Sequence, residues 1–179
     1  MKIGNLEFKA FKNNNITVAE PVKRKILTMT PNDQSNCYIA NIDNKDMGGF
    51  DLCNKYNIEY SIGVNCLIVK GKNNGVYFYV ALLVPVGYKY NINGILKEKL
   101  KCRCSVAPLD EVLNLTNMEY GSITPVGLPE EWLIFADPKI FKEERIICGG
   151  GKQISKLSLP SDYLIKYCNV KILEGLAIN

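Results

Sequence analysis

The chain has 179 residues, 47% of them hydrophobic, with 22 Lys and Arg against 18 Asp and Glu and a formal net charge of +4. That balance excludes disordered and fibrous classes and fits one domain that buries a core without a disulfide or metal staple. There is no histidine, which excludes every Ser-His-Asp or Cys-His nucleophile and every imidazole metal site.

The mildly basic charge permits an anionic partner without demanding one. The seven cysteines, Cys37, Cys53, Cys66, Cys102, Cys104, Cys148 and Cys168, are odd in number and irregular in spacing. They are expected to be reduced thiols, and Cys102-Arg-Cys104 is too tight for a C-x-x-C metal clip. No apolar segment follows Met1, and the longest apolar run, 76–86, is short for a membrane span and contains Pro85. A soluble, cytoplasmic protein without metal or cofactor is the expectation.

Along the chain, Leu6, Phe8 and Ala10 alternate as one strand would. Asn13-Asn14-Asn15 and Pro31-Asn32-Asp33 read as turns, Lys23-Arg24-Lys25 as solvated surface, and 37–42 as a strand. Residues 50–56 read as a short helix. Val64 to Lys70 is an apolar strand, and Asn74-Gly75 predicts a type I′ turn returning it over 76–84. A helix is expected over 91–100, with Ile92, Ile95 and Leu96 on one face. A strand over 101–106 would place Lys101, Arg103 and Ser105 together, where Lys101 and Arg103 either meet phosphate or form solvated surface. Pro108 opens a helix to Leu115, with Asp110 and Glu111 complementing the dipole in its first turn. Residues 121–129 read as a loop, and 132–135, 145–148 and 155–159 as short strands. Ser161 is placed to cap a helix over 162–167, and 170–173 closes the chain as a strand. Trp132 reads as core, and Tyr77, Tyr79, Tyr88 and Tyr90 as sheet packing. Strands separated by helices, with one clear hairpin, predict an α+β domain with a mixed sheet.

Two glycine-bearing loops interrupt this pattern. One is Gly121-Ser122-Ile123-Thr124-Pro125-Val126-Gly127, the other Gly149-Gly150-Gly151-Lys152. Glycine admits close approach of a ligand to the backbone, and successive amides can cradle an oxyanion. Each loop also reads as an ordinary structural turn. Neither has the spacing of a P-loop or of GxGxxG.

The order of these segments is more specific than either loop. An apolar strand at 64–69 leads into a hairpin, then a helix, a strand and a second helix, then Gly121 to Pro125 as G-x-x-x-P, Asp137, a strand and the glycine triplet. This resembles the YbaK/prolyl-tRNA-synthetase-associated family of aminoacyl-tRNA editing domains over residues 38–176. The resemblance implies a single α+β domain with a mixed, barrel-like sheet flanked by helices, spanning 38–179, with 1–37 an extension packed on or flanking it. It implies hydrolysis, in trans, of the ester joining a wrong amino acid to tRNA, with the aminoacyl end of tRNA as partner. The alternative is a module that binds an aminoacyl-tRNA or nucleotide end without turnover. Asn65 stands where the family carries a lysine; an amide donates a hydrogen bond but does not neutralise a phosphate. The resemblance assigns Asn65, Gly121 and Thr124 to catalysis. It places Ser122, Ile123, Pro125, Val126, Gly127, Asp137, Gly149, Gly150 and Gly151 around the substrate. Lys156 either points into the pocket, supplying the missing charge beside Arg103, or lies outward between apolar residues. Asp137 either orients a ligand or caps the turn before Pro138.

Overall fold

The structure is a computed structural model that describes residues 1–11 and 17–179. At the start of the chain, β1 (Lys2–Ile3) and β2 (Leu6–Glu7) form a small hairpin, and β3 (Lys9–Ala10) pairs antiparallel with β4 (Tyr38–Asn41). The single strand expected over 6–10 is therefore two, which pair with different partners, although Leu6 and Phe8 both anchor in one apolar cluster with Ala40, Ile42 and Leu52, as the alternation expected. The expected turn at Asn13 to Asn15 lies outside the described residues.

In α1 (Glu20–Leu27) Pro21 occupies the first turn, and Val22 and Ile26, one helical turn apart, are fully buried. Each contributes about 1.5–3 kcal/mol of apolar burial. Lys23-Arg24-Lys25 lies on the remaining surface of this helix. The turn expected at Pro31 is instead α2 (Pro31–Ser35): the Thr30 hydroxyl accepts the Asp33 amide and Pro31 takes the first helical position.

After a 3₁₀ turn at Asn44–Asp46 comes α3 (Gly49–Tyr56). The long strands β5 (Val64–Asn73) and β6 (Val76–Pro85) follow, joined by Asn74 and Gly75 at φ 48° and 82°. Two successive positive φ values are what the type I′ turn requires. After β7 (Lys89–Tyr90), the helix expected over 91–100 is a π-turn at Ile92–Leu96 running into α4 (Lys97–Leu100). Lys101, at φ 56°, turns the chain out of α4, so the strand expected over 101–106 shrinks to β8 (Cys104–Val106). Next come α5 (Leu109–Thr116), β9 (Leu133–Ala136), β10 (Arg145–Gly149), β11 (Ser155–Pro160), α6 (Tyr163–Cys168), β12 (Lys171–Ile172) and β13 (Ala177–Ile178). Ser161 does not cap α6, because its hydroxyl donates to the Glu143 carbonyl.

Two sheets carry the domain. One has the order β12-β9-β6-β5-β8, with β9 parallel to β6 and to β12 and the other pairs antiparallel; the second has the order β10-β11-β4-β3. A parallel bridge between Gly63 and Ile147 joins them. The largest core cluster lies between, taking Ile68 and Leu83 from one sheet and Ile39, Ile146 and Leu157 from the other. A second cluster, with Val69, Leu82 and Phe135, packs the opposite face of the five-stranded sheet against the 92–96 and 173–177 segments. This is a mixed-sheet α+β domain, and Trp132 belongs to its core, stacked on Tyr79 at 4.9 Å between ring centroids.

Candidate functional site

β8 pairs only with residues 69–71 of β5. Ile147 of β10 bonds the same edge at Ile62, so between that contact and β8 residues 65–67 have no strand beside them among the described residues, and a cavity of about 490 Å³ opens along this free edge. Ala107 N–H donates to the Ile68 carbonyl at 3.0 Å. By antiparallel alternation, even-numbered residues of β5 turn their peptide groups to that edge. The Cys66 peptide thus faces the cavity with no strand opposite. The rest of the wall comes from the Met47-Gly48-Gly49 turn, Val106 to Leu109, Val112, Tyr90, Tyr120, Gly121, Ile123, Gly149 and Lys156.

Lys156 is 5% exposed. β11 pairs it with Gly149 on one side and Ala40 on the other. Its ammonium donates to the Met47 carbonyl, and no carboxylate among the described residues lies within ion-pair distance. Burial without a counter-charge draws its pKa down from 10.5 to about 8. The side chain of Asn65, half-buried on β5, makes no hydrogen bond to a described residue; its Oδ1 lies 2.6 Å from where a β-carbon on Gly49 would stand. Gly121, at φ 72°, lets the backbone pass Met47, whose sulfur would meet an added β-carbon at 2.6 Å. The amides of Gly121 and Ile123 donate to no described acceptor. The thiols nearby are inert wall: burial raises Cys66, and pushes Cys148 up to about 11.

Asn65, Gly121, Ile123, Gly149 and Lys156 thus meet on one cavity. The other residues named from sequence do not line it. Thr124 is fully buried with its hydroxyl donating to the Cys148 sulfur at 3.3 Å. Ser122 is buried with its hydroxyl unpaired, and Val126 is core. Pro125 and Gly127 border a separate cavity near Trp132, and Gly151 another beside Val18 and Lys152. Gly150 is held by hydrogen bonds to Ala19 and Ser155. Asp137 is spent on structure: it accepts the Lys139 amide and, at 2.8 Å, the Ala177 amide. Arg103 is exposed ahead of β8, outside the wall. Lys70 is turned elsewhere, bonded to Glu111 at 2.7 and 3.0 Å.

Sequence reasoning missed the Met47-Gly48-Gly49 turn, the Cys66 peptide edge and the cavity-facing residues of α5. The paired glycines at 48 and 49 were the available signal. It also assigned Tyr90 to sheet packing, whereas Tyr90 lines the cavity, and Tyr77 is 57% exposed. No group of three or more Cys, Asp or Glu side chains among the described residues is arranged to hold a metal ion. No helix among them is long and apolar enough to cross a membrane.

Solved structures share this architecture. A scaffold protein from computational epitope grafting superposes with a TM-score of 0.75 at 14% identity, covering 90% of this chain and 97% of its own. A hypothetical protein gives 0.74 at 20% identity over 87% and 98%. A candidate trans-editing enzyme for prolyl-tRNA synthetase gives 0.73 at 13% identity over 90% and 99%. At these identities the likeness is one of fold. No curated protein matches the sequence. The aminoacyl-tRNA editing domain family model matches residues 50–167, a stretch that includes the free edge of β5, the Gly121 loop and Lys156, and the chain belongs to that family.

Proposed function

We propose that this protein is a cytoplasmic aminoacyl-tRNA deacylase that acts in trans, hydrolysing the ester of mischarged tRNA in the cavity beside β5. The observation that carries the reading is the meeting of an unpaired side-chain amide, Asn65, and a buried ammonium with no carboxylate partner among the described residues, Lys156, on one mainly apolar cavity. Such a cavity, near 490 Å³, falls within the range that holds a small ligand. Ile68, Val112 and Leu109 offer an apolar seat for the amino-acid side chain.

An aminoacyl ester is already reactive, so little acid–base help is needed. Water adds to the carbonyl carbon, and the carbonyl electron pair moves to oxygen. The uncommitted amides of Gly121 and Ile123 are the donors for that oxyanion. When the tetrahedral centre collapses, the ribose oxygen leaves with the ester electron pair and takes up a proton. The neighbouring ribose hydroxyl can relay that proton, so no histidine is required. Lys156, charged below about pH 8, attracts the terminal phosphate or the developing oxyanion. Asn65 orients the ligand through its amide.

The test is a panel of mischarged tRNAs incubated with the purified protein and with Lys156→Met. Faster deacylation of at least one member by wild type, lost in the variant, is the expected result. The second reading, binding without turnover, is favoured by Asn65 at the position of the family lysine. Tight binding of a non-hydrolysable aminoacyl-adenosine analogue, with no ester of the panel cleaved, would establish it instead.

A further inference from the structure

A row of unneutralised cations runs away from the cavity mouth along the edge of the five-stranded sheet. At the mouth stand Val106 and Leu109, 59% and 48% exposed. Behind Val106 the chain runs back through β8 to Arg103, Lys101, Lys99 and Lys97, all exposed. Gly71–Cys104 is the last pair of the β5–β8 ladder, so Arg103, just before β8, comes next to Lys72 along the edge, and Lys72 pairs with Tyr77 on β6. Arg103, Lys72 and Tyr77 thus form one cross-strand row, about 20 Å along β5 from Cys66.

The charges in this row are uncommitted. Lys45, Lys55, Lys70, Lys139, Lys166 and Arg24 each contact a carboxylate. Lys72, Lys97, Lys99, Lys101 and Arg103 contact none among the described residues. Glu98 is the only acid between positions 97 and 103, and Asp110 follows at the cavity end. Tyr77 is 57% exposed and carries the ammoniums of Lys72 and Lys70 over its ring, at 4.8 and 4.4 Å from the centroid. Cations beside an exposed aromatic ring suit a strand with phosphates on its backbone and stackable bases.

We infer that this edge, from Val106 through Arg103 and Lys72 to Tyr77, is the track on which the acceptor strand of tRNA lies when its aminoacyl end enters the cavity. The inference rests on the proposed function for the place of the ester, and it adds the surface that holds the polynucleotide. The ligand class is a single strand or frayed stem end, bound through phosphates and one stacked base. Base edges are not read, so binding is tolerant of sequence.

The experiment measures binding, independently of turnover. A fluorescently labelled, uncharged tRNA transcript is titrated at two salt concentrations against four proteins. These are wild type, Lys72→Gln/Lys99→Gln/Arg103→Gln, Tyr77→Ala, and a charge-matched control, Lys23→Gln/Arg24→Gln/Lys25→Gln on α1. All the altered side chains are at least partly exposed, and circular dichroism checks folding. The track triple variant should bind on the order of ten-fold more weakly at low salt, with a log–log salt slope shallower by about 2–3. Tyr77→Ala should weaken binding about five-fold or more with the slope unchanged. The control should stay within about two-fold of wild type. An equal or larger loss in the control, no binding by wild type, or loss of binding to phosphatidylserine vesicles in place of tRNA would each overturn the inference. Wild type that deacylates nothing yet shows the expected pattern of binding would refute the proposed hydrolysis and leave the track standing.

Discussion

Lys70 and Lys156 are both held among strands, and their surroundings treat them in opposite ways. Lys70 bridges β5 to α5: its ammonium donates to both Glu111 oxygens, and Tyr79 donates to the same carboxylate. Those bonds, led by the one to Glu111, raise its pKa above the ordinary lysine value. Lys156 has a single neutral acceptor, the Met47 carbonyl, and burial lowers its pKa to about 8. Lys70 therefore fastens the fold. Lys156 burdens it, by about 3 kcal/mol when charged, from the displacement between 10.5 and about 8. An uncompensated ammonium on a cavity wall is a candidate anion site, the role proposed for Lys156.

The sharpest break in this comparison is Lys156→Met. Losing a charged hydrogen bond worth about 1.5–3 kcal/mol should lower ligand binding or deacylation about 10- to 100-fold. The same change should raise unfolding free energy at pH 7 by up to about 3 kcal/mol, measured by denaturant titration. A variant that loses both stability and binding would make Lys156 a structural residue like Lys70.

The pH dependence of stability carries the same contrast. Because the folded-state pKa of Lys156 is depressed, the unfolded chain binds more protons between about pH 8 and 10.5. Stability attributable to this group should therefore rise with pH across that window and be constant below it. Thermal unfolding of wild type minus Lys156→Met, followed from pH 7 to 10.5, isolates it. A difference that is flat or falls with pH would show that the ammonium is not desolvated.

Smaller effects sharpen the geometry. A β-carbon on Gly149 would stand 2.4 Å from the Ser122 carbonyl oxygen, a backbone atom that cannot swing aside. Gly149→Ala should cost about 1–3 kcal/mol of stability and displace the Gly121 loop, lowering activity with it. Asn65→Ala should weaken ligand binding by a neutral hydrogen bond, about 0.5–1.5 kcal/mol, read as a two- to ten-fold rise in Kd. Lys70→Ala should change binding by no more than a few-fold while lowering the melting temperature. A large binding loss there, with none for Lys156→Met, would reverse the roles assigned to the two lysines.

The parts of the fold legible from sequence are those governed by local chemistry. Asn74-Gly75 dictated its own turn, and periodicity marked the helices at 49–56 and 109–116 within a residue or so. The misreadings arise where a single residue redirects the chain. Lys101 adopts a left-handed conformation that no composition rule demands of lysine, and β8 loses half its expected length. Thr30 turns a Pro-Asn-Asp stretch into α2. The cavity was half legible. The order of segments brought Asn65, Gly121, Gly149 and Lys156 to one place, but the fold of the 121–127 loop, which the sequence does not fix, selects which of its residues face the cavity. Ile123 therefore lines the wall, while Ser122 and Thr124 point into the core. Gly48-Gly49 marked a turn after Met47, but not its place on the cavity, because the Lys156 that holds it lies 109 residues further along the chain.

Asp33 ties the first part of the chain to the last. Its carboxylate accepts from Tyr163 and Tyr167 hydroxyls and from the Lys166 ammonium, all 130 or more residues away. During synthesis α1 and α2 leave the ribosome well before these partners, which lie 130 or more residues further along the chain. Closing so long a loop is entropically slow. The Asp33 contacts must therefore wait until α6 is made. A stop codon that removes α6, β12 and β13 would leave a ribosome product unable to complete its core, and a natural client for chaperones.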